Sequence, residues 1–480
     1  MMSMSEAATV LGSRRSGADV RFASVSTDTR TVSAGALFIA LRGEHFDGHE
    51  FLGMAKSRGA VAAMVDERAF AQSAQAGPGQ PGLPCIVVRD TKQGLGRLAA
   101  HWRGRFDIPV IAITGSNGKT TVKEMLAAIL REHWGAEHTL ATEGNLNNDI
   151  GLPLTLLRLR QGHQVAAIEL GINHPGETAA LAAIAQPTVG LVNNAQREHQ
   201  EFMKTVADVA AEHGDLFKAL PADGTAVINA DDDYAAFWRG LNLNADPKVN
   251  PDLKRTVRDF GIEKPAAVSG RYTLGDFGSD IELSAPEGSV RFSLQVAGVH
   301  NVRNAVAAAA ASTAAGASLQ AVARGLSAFA AVKGRMQKKT GRDGVVVIDD
   351  SYNANPDSVR AAIDVLARCR GRRVLVLGDM GEVGDKGGEF HAEVGHYAKE
   401  CGIDCLLLLG DLTGAAAAAF GKGAAHFAAI DALLAAVETE RLAKPTFLIK
   451  GSRFMQMERV VAALTGETSM KAGPGMKASQ

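Results

Sequence analysis

Apolar and polar positions fall into three successive patterns along this chain. In the first hundred residues, short apolar runs at 37–41 (LFIAL) and 60–65 (AVAAMV) alternate with polar turns. A Gly/Pro-rich loop at 74–84 follows, and a strand resumes at 86–88. From residue 108 the pattern changes. Apolar runs of buried-strand length at 108–114 (IPVIAIT), 165–170, 189–193 and 225–229 predict a mostly parallel sheet covered by helices, the first at 121–134. Residues 271–296 alternate polar with apolar and predict antiparallel strands; an Ala-rich helix over 300–315 follows. A third block has strands at 345–350, 374–379, 405–410 and 446–450, alternating with helices at 358–369, 389–401, 431–442 and 457–464. The predicted class is α/β in three domains. These are a small α/β N-terminal domain (1–105), a central P-loop mononucleotide-binding parallel sheet (106–332) and a C-terminal Rossmann-like domain (333–468). Residues 469–480 are expected to be a disordered tail.

The length of 480 residues agrees with about three domains of roughly 150 residues. With 51 basic and 52 acidic residues, net charge −1, the balance argues against broad nucleic-acid binding. The first fifteen residues lack the apolar core of a signal peptide, and no run of about 18 apolar residues predicts membrane insertion. Cys85, Cys369, Cys401 and Cys405 have no second Cys/His pair near enough for zinc and read as free thiols in a reducing cytoplasm.

The chemistry centres on Thr114-Gly115-Ser116-Asn117-Gly118-Lys119-Thr120-Thr121, which follows a buried strand and opens a helix. Glycines let backbone N–H groups turn toward phosphates, and a helix N-terminus favours the anion. Lys119 is expected on the outer phosphates and Thr120 on Mg²⁺. The loop is shorter than the common form, because Ile113 stands where its first glycine would be. The motif specifies a nucleotide phosphate, not a reaction.

Glu169 ends a buried strand, where ligands of parallel sheets bind, and is a candidate Mg²⁺ ligand. His199 follows the next strand and is a candidate for the same metal or for a phosphate. Asn145, Asn147 and Asn148 crowd one loop. Asn301 precedes the Ala-rich helix, as its cap or as a contact to adenine or ribose.

TGSNGKTT, GNLNNDIGLP, AIELG, a histidine after the next strand and GVHNVRN occur here in an order that resembles the Mur ligases, ATP-dependent enzymes that build the peptidoglycan stem peptide. The resemblance runs over about residues 26–464. Three stretches are similar to the branch that joins D-alanyl-D-alanine to a UDP-N-acetylmuramoyl-tripeptide: 27–49, 349–358 (DDSYNANPDS) and 377–384 (LGDMGEVG). The resemblance implies an acyl-phosphate mechanism using ATP and Mg²⁺. It places the UDP-substrate on the first domain (Thr27, Asp28, Arg30), ATP on the second and the dipeptide on the third. Lys119, Glu169 and His199 are implied as catalytic. The implied ATP contacts are residues 115–121, Asn301, Arg335 and Asp350, and further substrate contacts are Asn148, Asn353 and Asn355. Metal ligands are implied at Thr120, Glu169 and His199, with His213 as a further candidate, because His213 stands where many members carry a carbamylated lysine that helps bind a second Mg²⁺. A monomer is expected. A related amide ligase of folylpolyglutamate type and a non-catalytic nucleotide switch are the alternative readings.

Overall fold

The computed structural model describes residues 1–75, 82–243 and 255–467. The expected tail and most of the Gly/Pro-rich loop lie outside the described residues. Three main sheets run along the chain. The first has strand order Arg14–Ser16, Cys85–Val88, Ala62–Asp66, Ala36–Ile39, Ser24–Ser26. All its pairings are parallel except that of the edge strand Arg14–Ser16. Helix Thr91–Arg103, capped by the Asp90 carboxylate, leads out of it. The guanidinium of Arg103 donates to the carbonyls of Ala185 and Gln186, which docks this helix on the central domain.

The central sheet has nine strands. Strand Val110–Thr114 lies between Val165–Glu169 and Val189–Val192, parallel to both. Its five residues are all buried, as expected for a strand covered on both faces. At the far end, Val268–Leu274, Ser279–Ala285 and Gly288–Leu294 pair antiparallel, as the alternation predicted. Helix Val299–Ala314 packs on helix Lys119–Trp134. Its run of fully buried alanines gives it the slim profile this position needs. Gly325, in helix Leu319–Ser327, approaches so closely that a Cβ there would stand 2.7 Å from Ile129 Cα.

The third sheet has order Gln337–Thr340, Val346–Asp350, Thr446–Lys450, Arg373–Gly378, Cys405–Leu409, Ala424–Phe427. Only its first pairing is antiparallel. In both large sheets the strand carboxyl ends carry the polar loops. No described helix is long and apolar enough to cross a membrane.

Candidate active site

Strand Val110–Thr114 ends at a loop whose glycines have positive φ, a backbone conformation that favours glycine: Gly115 at φ 131° and Gly118 at φ 84°. A Cβ on Gly118 would also meet Asn304 Oδ1 at 2.5 Å. Helix Lys119–Trp134 then starts with no side-chain cap, so its first-turn N–H groups face the loop. Uncapped N–H groups at a helix start are what an anion requires.

The loop is held by amides. Asn117 N donates to Asn194 Oδ1 (2.8 Å), and Asn117 O accepts from Asn193 Nδ2 (2.8 Å) and Asn194 Nδ2 (3.0 Å). Asn117 Nδ2 donates to Gln196 Oε1 (2.7 Å). Asn193 Nδ2 also reaches Asn304 Oδ1 (3.0 Å), and Asn304 Nδ2 reaches Asn301 Oδ1 (3.2 Å). The Asn301 amide is therefore turned inward, with its Nδ2 on Ala297 O (2.8 Å). The helix begins at Val299 with Gly298 as its cap, so Asn301 lies in the first turn and does not cap it.

Lys119 Nζ folds back onto Gly115 O (2.6 Å), Ser116 O (3.3 Å) and Glu198 Oε2 (3.3 Å). Glu169, 2% exposed, accepts on Oε1 from Thr120 Oγ1 (3.0 Å) and Asn147 Nδ2 (2.8 Å). Its Oε2 is buried without a hydrogen-bond partner. A buried anionic oxygen left bare is costly to the fold and is what a metal ligand looks like before the metal. Among the described residues, no three His, Cys, Asp or Glu side chains converge tightly enough to hold a metal alone. Mg²⁺ suits that arrangement, since one or two carboxylates with substrate phosphates suffice for it.

His199 adopts φ 47°, an uncommon backbone conformation for a non-glycine residue. Its Nε2 lies 3.7 Å from Glu198 Oε2. Its Nδ1 lies 2.6 Å from Glu382 Oε2 of the third domain, but off the line of a hydrogen bond. His213 is not open to the site. Helix Val206–Lys218 sets it one layer behind the loop, fully buried, with Nδ1 at Thr114 Oγ1 (3.0 Å) and Nε2 at Glu198 Oε1 (2.8 Å). Burial would raise the Glu198 carboxyl, but Lys119 and His213 outweigh it and hold the group far below the usual carboxylate range.

The third domain closes onto this loop. Arg335 donates to Thr120 Oγ1 (2.9 Å) and stacks over Tyr352, 4.2 Å from its ring centre. Asn355 Nδ2 donates to Asn117 Oδ1 (3.0 Å), while Asn355 Oδ1 caps helix Pro356–Ala367. Arg197 binds Asp357 (2.6 Å) and Glu393 (2.7 Å) together, which raises its already high pKa further. Asp350 is occupied by Met336 N and Lys450 Nζ, and Asn353 by Ala354 N and Lys450.

Of the other expected substrate residues, Asn148 is turned away: its Oδ1 accepts from Ile150 N and Gly151 N. The amide that reaches the buried carboxylate is Asn147, one residue earlier, and the sequence had no means of choosing between them. Thr27, Asp28 and Arg30 form a turn after strand Ser24–Ser26, in which Arg30 grips Asp28 from an exposed position. Among the described residues no hydrogen bond joins this turn to the phosphate loop. Sequence reasoning missed Glu198, Arg197, Asn193 and Asn194. All four follow the strand that leads to His199, a loop rich in polar residues.

Family profiles cover most of the chain: a Mur ligase catalytic domain at 21–103, a Mur ligase middle domain at 113–312 and a Mur ligase glutamate ligase domain at 334–453. A UDP-N-acetylmuramoyl-tripeptide–D-alanyl-D-alanine ligase of Escherichia coli is 40% identical over 470 residues, 96% of this chain and 98% of the relative. This chain belongs to the Mur ligase family. The ligase of the same name from Haemophilus influenzae is 37% identical, over 93% of this chain and 94% of that one. A crystal structure of MurF from Acinetobacter baumannii superposes with TM-score 0.85 at 32% identity, over 95% of this chain and 97% of that one. In this Mur ligase, then, the family's three-part α/β architecture places the phosphate loop at the junction of the second and third units.

Proposed function

We propose that this protein is an ATP-dependent ligase that joins D-alanyl-D-alanine to UDP-N-acetylmuramoyl-tripeptide, forming the pentapeptide precursor of peptidoglycan in the cytoplasm. The observation that carries the reading is the bare Glu169 Oε2 beside Thr120 at the start of the phosphate-loop helix, where Arg335 of the third domain also reaches Thr120. It is an arrangement for receiving a metal-bound phosphate at a closing junction. The choice of substrates rests on the names of the relatives.

Residues 1–105 take the UDP-muramoyl substrate, with Thr27, Asp28 and Arg30 in its approach; 106–332 bind ATP; 333–468 take the dipeptide near Asn353 and Asn355. The tripeptide carboxylate attacks the γ-phosphorus, ADP leaves, and an acyl phosphate results. The dipeptide amine attacks the acyl carbon, phosphate departs, and the amine's proton goes to solvent or to a basic side chain. Lys119 and the loop amides stabilise charge on the phosphates, and Arg335 brings a second cation from across the junction. Thr120 and Glu169, with His199 as a further candidate, would hold Mg²⁺, which would offset phosphate charge. Closure of the third domain keeps water from the acyl phosphate.

The test is phosphate release from ATP and Mg²⁺ with the UDP-tripeptide, with and without D-alanyl-D-alanine. Release that needs both, with a pentapeptide product by mass, is expected. Release with another acid–amine pair instead would move the specificity to a sister ligase, and no release with any pair would end the ligase reading.

A further inference from the structure

The mechanism above gives no task to Lys123, one turn beyond Lys119 on the helix that opens at the phosphate loop. Its side chain is wholly buried, at 0% exposure. Nζ donates to Thr142 O (2.7 Å) and to the Glu124 carboxylate, whose side chain is 30% exposed. Burying an ammonium is costly, and apolar side chains in place of a buried ion pair often leave a fold as stable or more so. Stability alone therefore gives little reason for a lysine at this position.

What the lysine holds is the root of the Glu169 site. Strand Val165–Glu169 runs beside strand Thr139–Ala141, which ends before it reaches Glu169. Thr142 follows directly. Its N–H donates to Ala167 O (3.0 Å), and its Oγ1 accepts from Glu169 N (3.0 Å), the backbone donor that the shorter strand leaves over. The loop that starts at Thr142 comes back at Asn147, whose Nδ2 reaches Glu169 Oε1 (2.8 Å) and whose O accepts from Gly171 N (2.9 Å). Lys123 thus grips the residue from which two restraints on Glu169 arise: the pin on its backbone and the loop that brings an amide to its carboxylate. A carboxylate serves a metal well only when its own partners fix it, and such outer partners matter nearly as much as the ligand. Resting on the nucleotide reading above, we propose that Lys123 is a positioning residue for the metal carboxylate. Through Thr142 it sets where Glu169 Oε2 stands when a nucleotide-bound divalent cation arrives. Lys119 and Lys123 share one face of the helix; the first meets the phosphates and the second fixes the carboxylate.

Electron paramagnetic resonance of the full chain, titrated with Mn²⁺ in the presence of a non-hydrolysable ATP analogue, tests this without turnover. Lys123→Met, well below its unfolding temperature, is expected to bind Mn²⁺ about tenfold or more weakly than the wild type, with the UDP-substrate bound as tightly as before. Thr142→Val keeps the lysine and the side-chain volume but removes the acceptor of Glu169 N. It is expected to weaken Mn²⁺ in the same direction, and it carries the test if Lys123→Met fails to fold. A lysine that only filled space would move the unfolding midpoint and leave Mn²⁺ affinity alone. Wild-type Mn²⁺ affinity in either folded variant, or loss of Mn²⁺ and UDP-substrate together, would overturn the proposal. A wild type that binds no Mn²⁺ with the analogue would instead refute the nucleotide reading.

Discussion

The two large sheets put polar residues in the same topological place, the loops at the carboxyl ends of parallel strands, and use them in opposite ways. On the third sheet those residues are satisfied internally. Asp379 Oδ1 accepts from Leu412 N and Thr413 N, and His391 bridges Met380 N and Gly387 O. Asp350 and Lys450 are paired 2.5 Å apart, and Ser452 Oγ donates to Ala354 O. On the central sheet, Glu169 keeps a buried oxygen with no partner, and Lys119 leans on carbonyls that any phosphate would replace. Similar residue types at similar positions thus differ in whether their bonding capacity is spent. The first set holds a fold together; the second waits for a ligand.

Substitutions on either side should give opposite phenotypes. The largest effect is expected at Lys119: Lys119→Ala should lower kcat by about a thousandfold while the UDP-substrate still binds, the size seen when a charge-stabilising donor is removed. Near-normal turnover would remove the central loop from the comparison. Glu169→Gln should lose about a hundredfold in turnover without a fall in the unfolding midpoint, because it removes a buried anion that the fold does not satisfy. Asp379→Ala should do the reverse. Two backbone donors lose their acceptor, stability should drop by about 1–3 kcal/mol in denaturant titration, and kcat of the folded enzyme should stay within about twofold. If the two variants showed the same phenotype, the contrast between the sheets would be false.

A smaller effect sharpens the border between the two regions. His300 sits near Asp350 and Lys450 at the seam, and burial pushes its imidazole down to about 4. Its folded-state pKa is depressed, so the unfolded chain takes up the proton first. The stability that neutral His300 carries is complete above about pH 6.5 and is lost as pH falls from there through 4. His300 as a residue is only half-buried, so the loss should be on the order of 1–2 kcal/mol. His300→Gln should flatten the stability profile in that window; an unchanged slope would mean the imidazole is not the group responsible.

What the sequence disclosed was local. The phosphate loop is one contiguous strand, turn and helix, so eight residues carried it, and Glu169 was marked by ending its own strand. The helices predicted at 121–134 and 300–315 begin earlier, at Lys119 and Val299, since glycine rather than a polar cap starts each. What stayed hidden depends on groups distant in sequence. His213 and Glu198 meet across fifteen positions, and Asn193 and Asn304 across 111. Asn147 and Asn148 are neighbours with identical side chains, and only the path of the folded loop sends one to Glu169 and the other to a turn.

The amide lattice around the phosphate loop has one consequence for how this protein ages. Asn117 precedes Gly118, the pairing of residues in which a side-chain amide is most readily attacked by the next backbone nitrogen and lost as ammonia. Such damage would plant a carboxylate where phosphate must bind. Here the Asn117 side chain is gripped by Gln196 on its own domain and by Asn355 on the other, which denies it the rotation the attack needs. Peptide mapping for isoaspartate at 117 should show faster accumulation in an Asn355→Ala variant than in the wild type, so the contact between the domains would also be what preserves the loop.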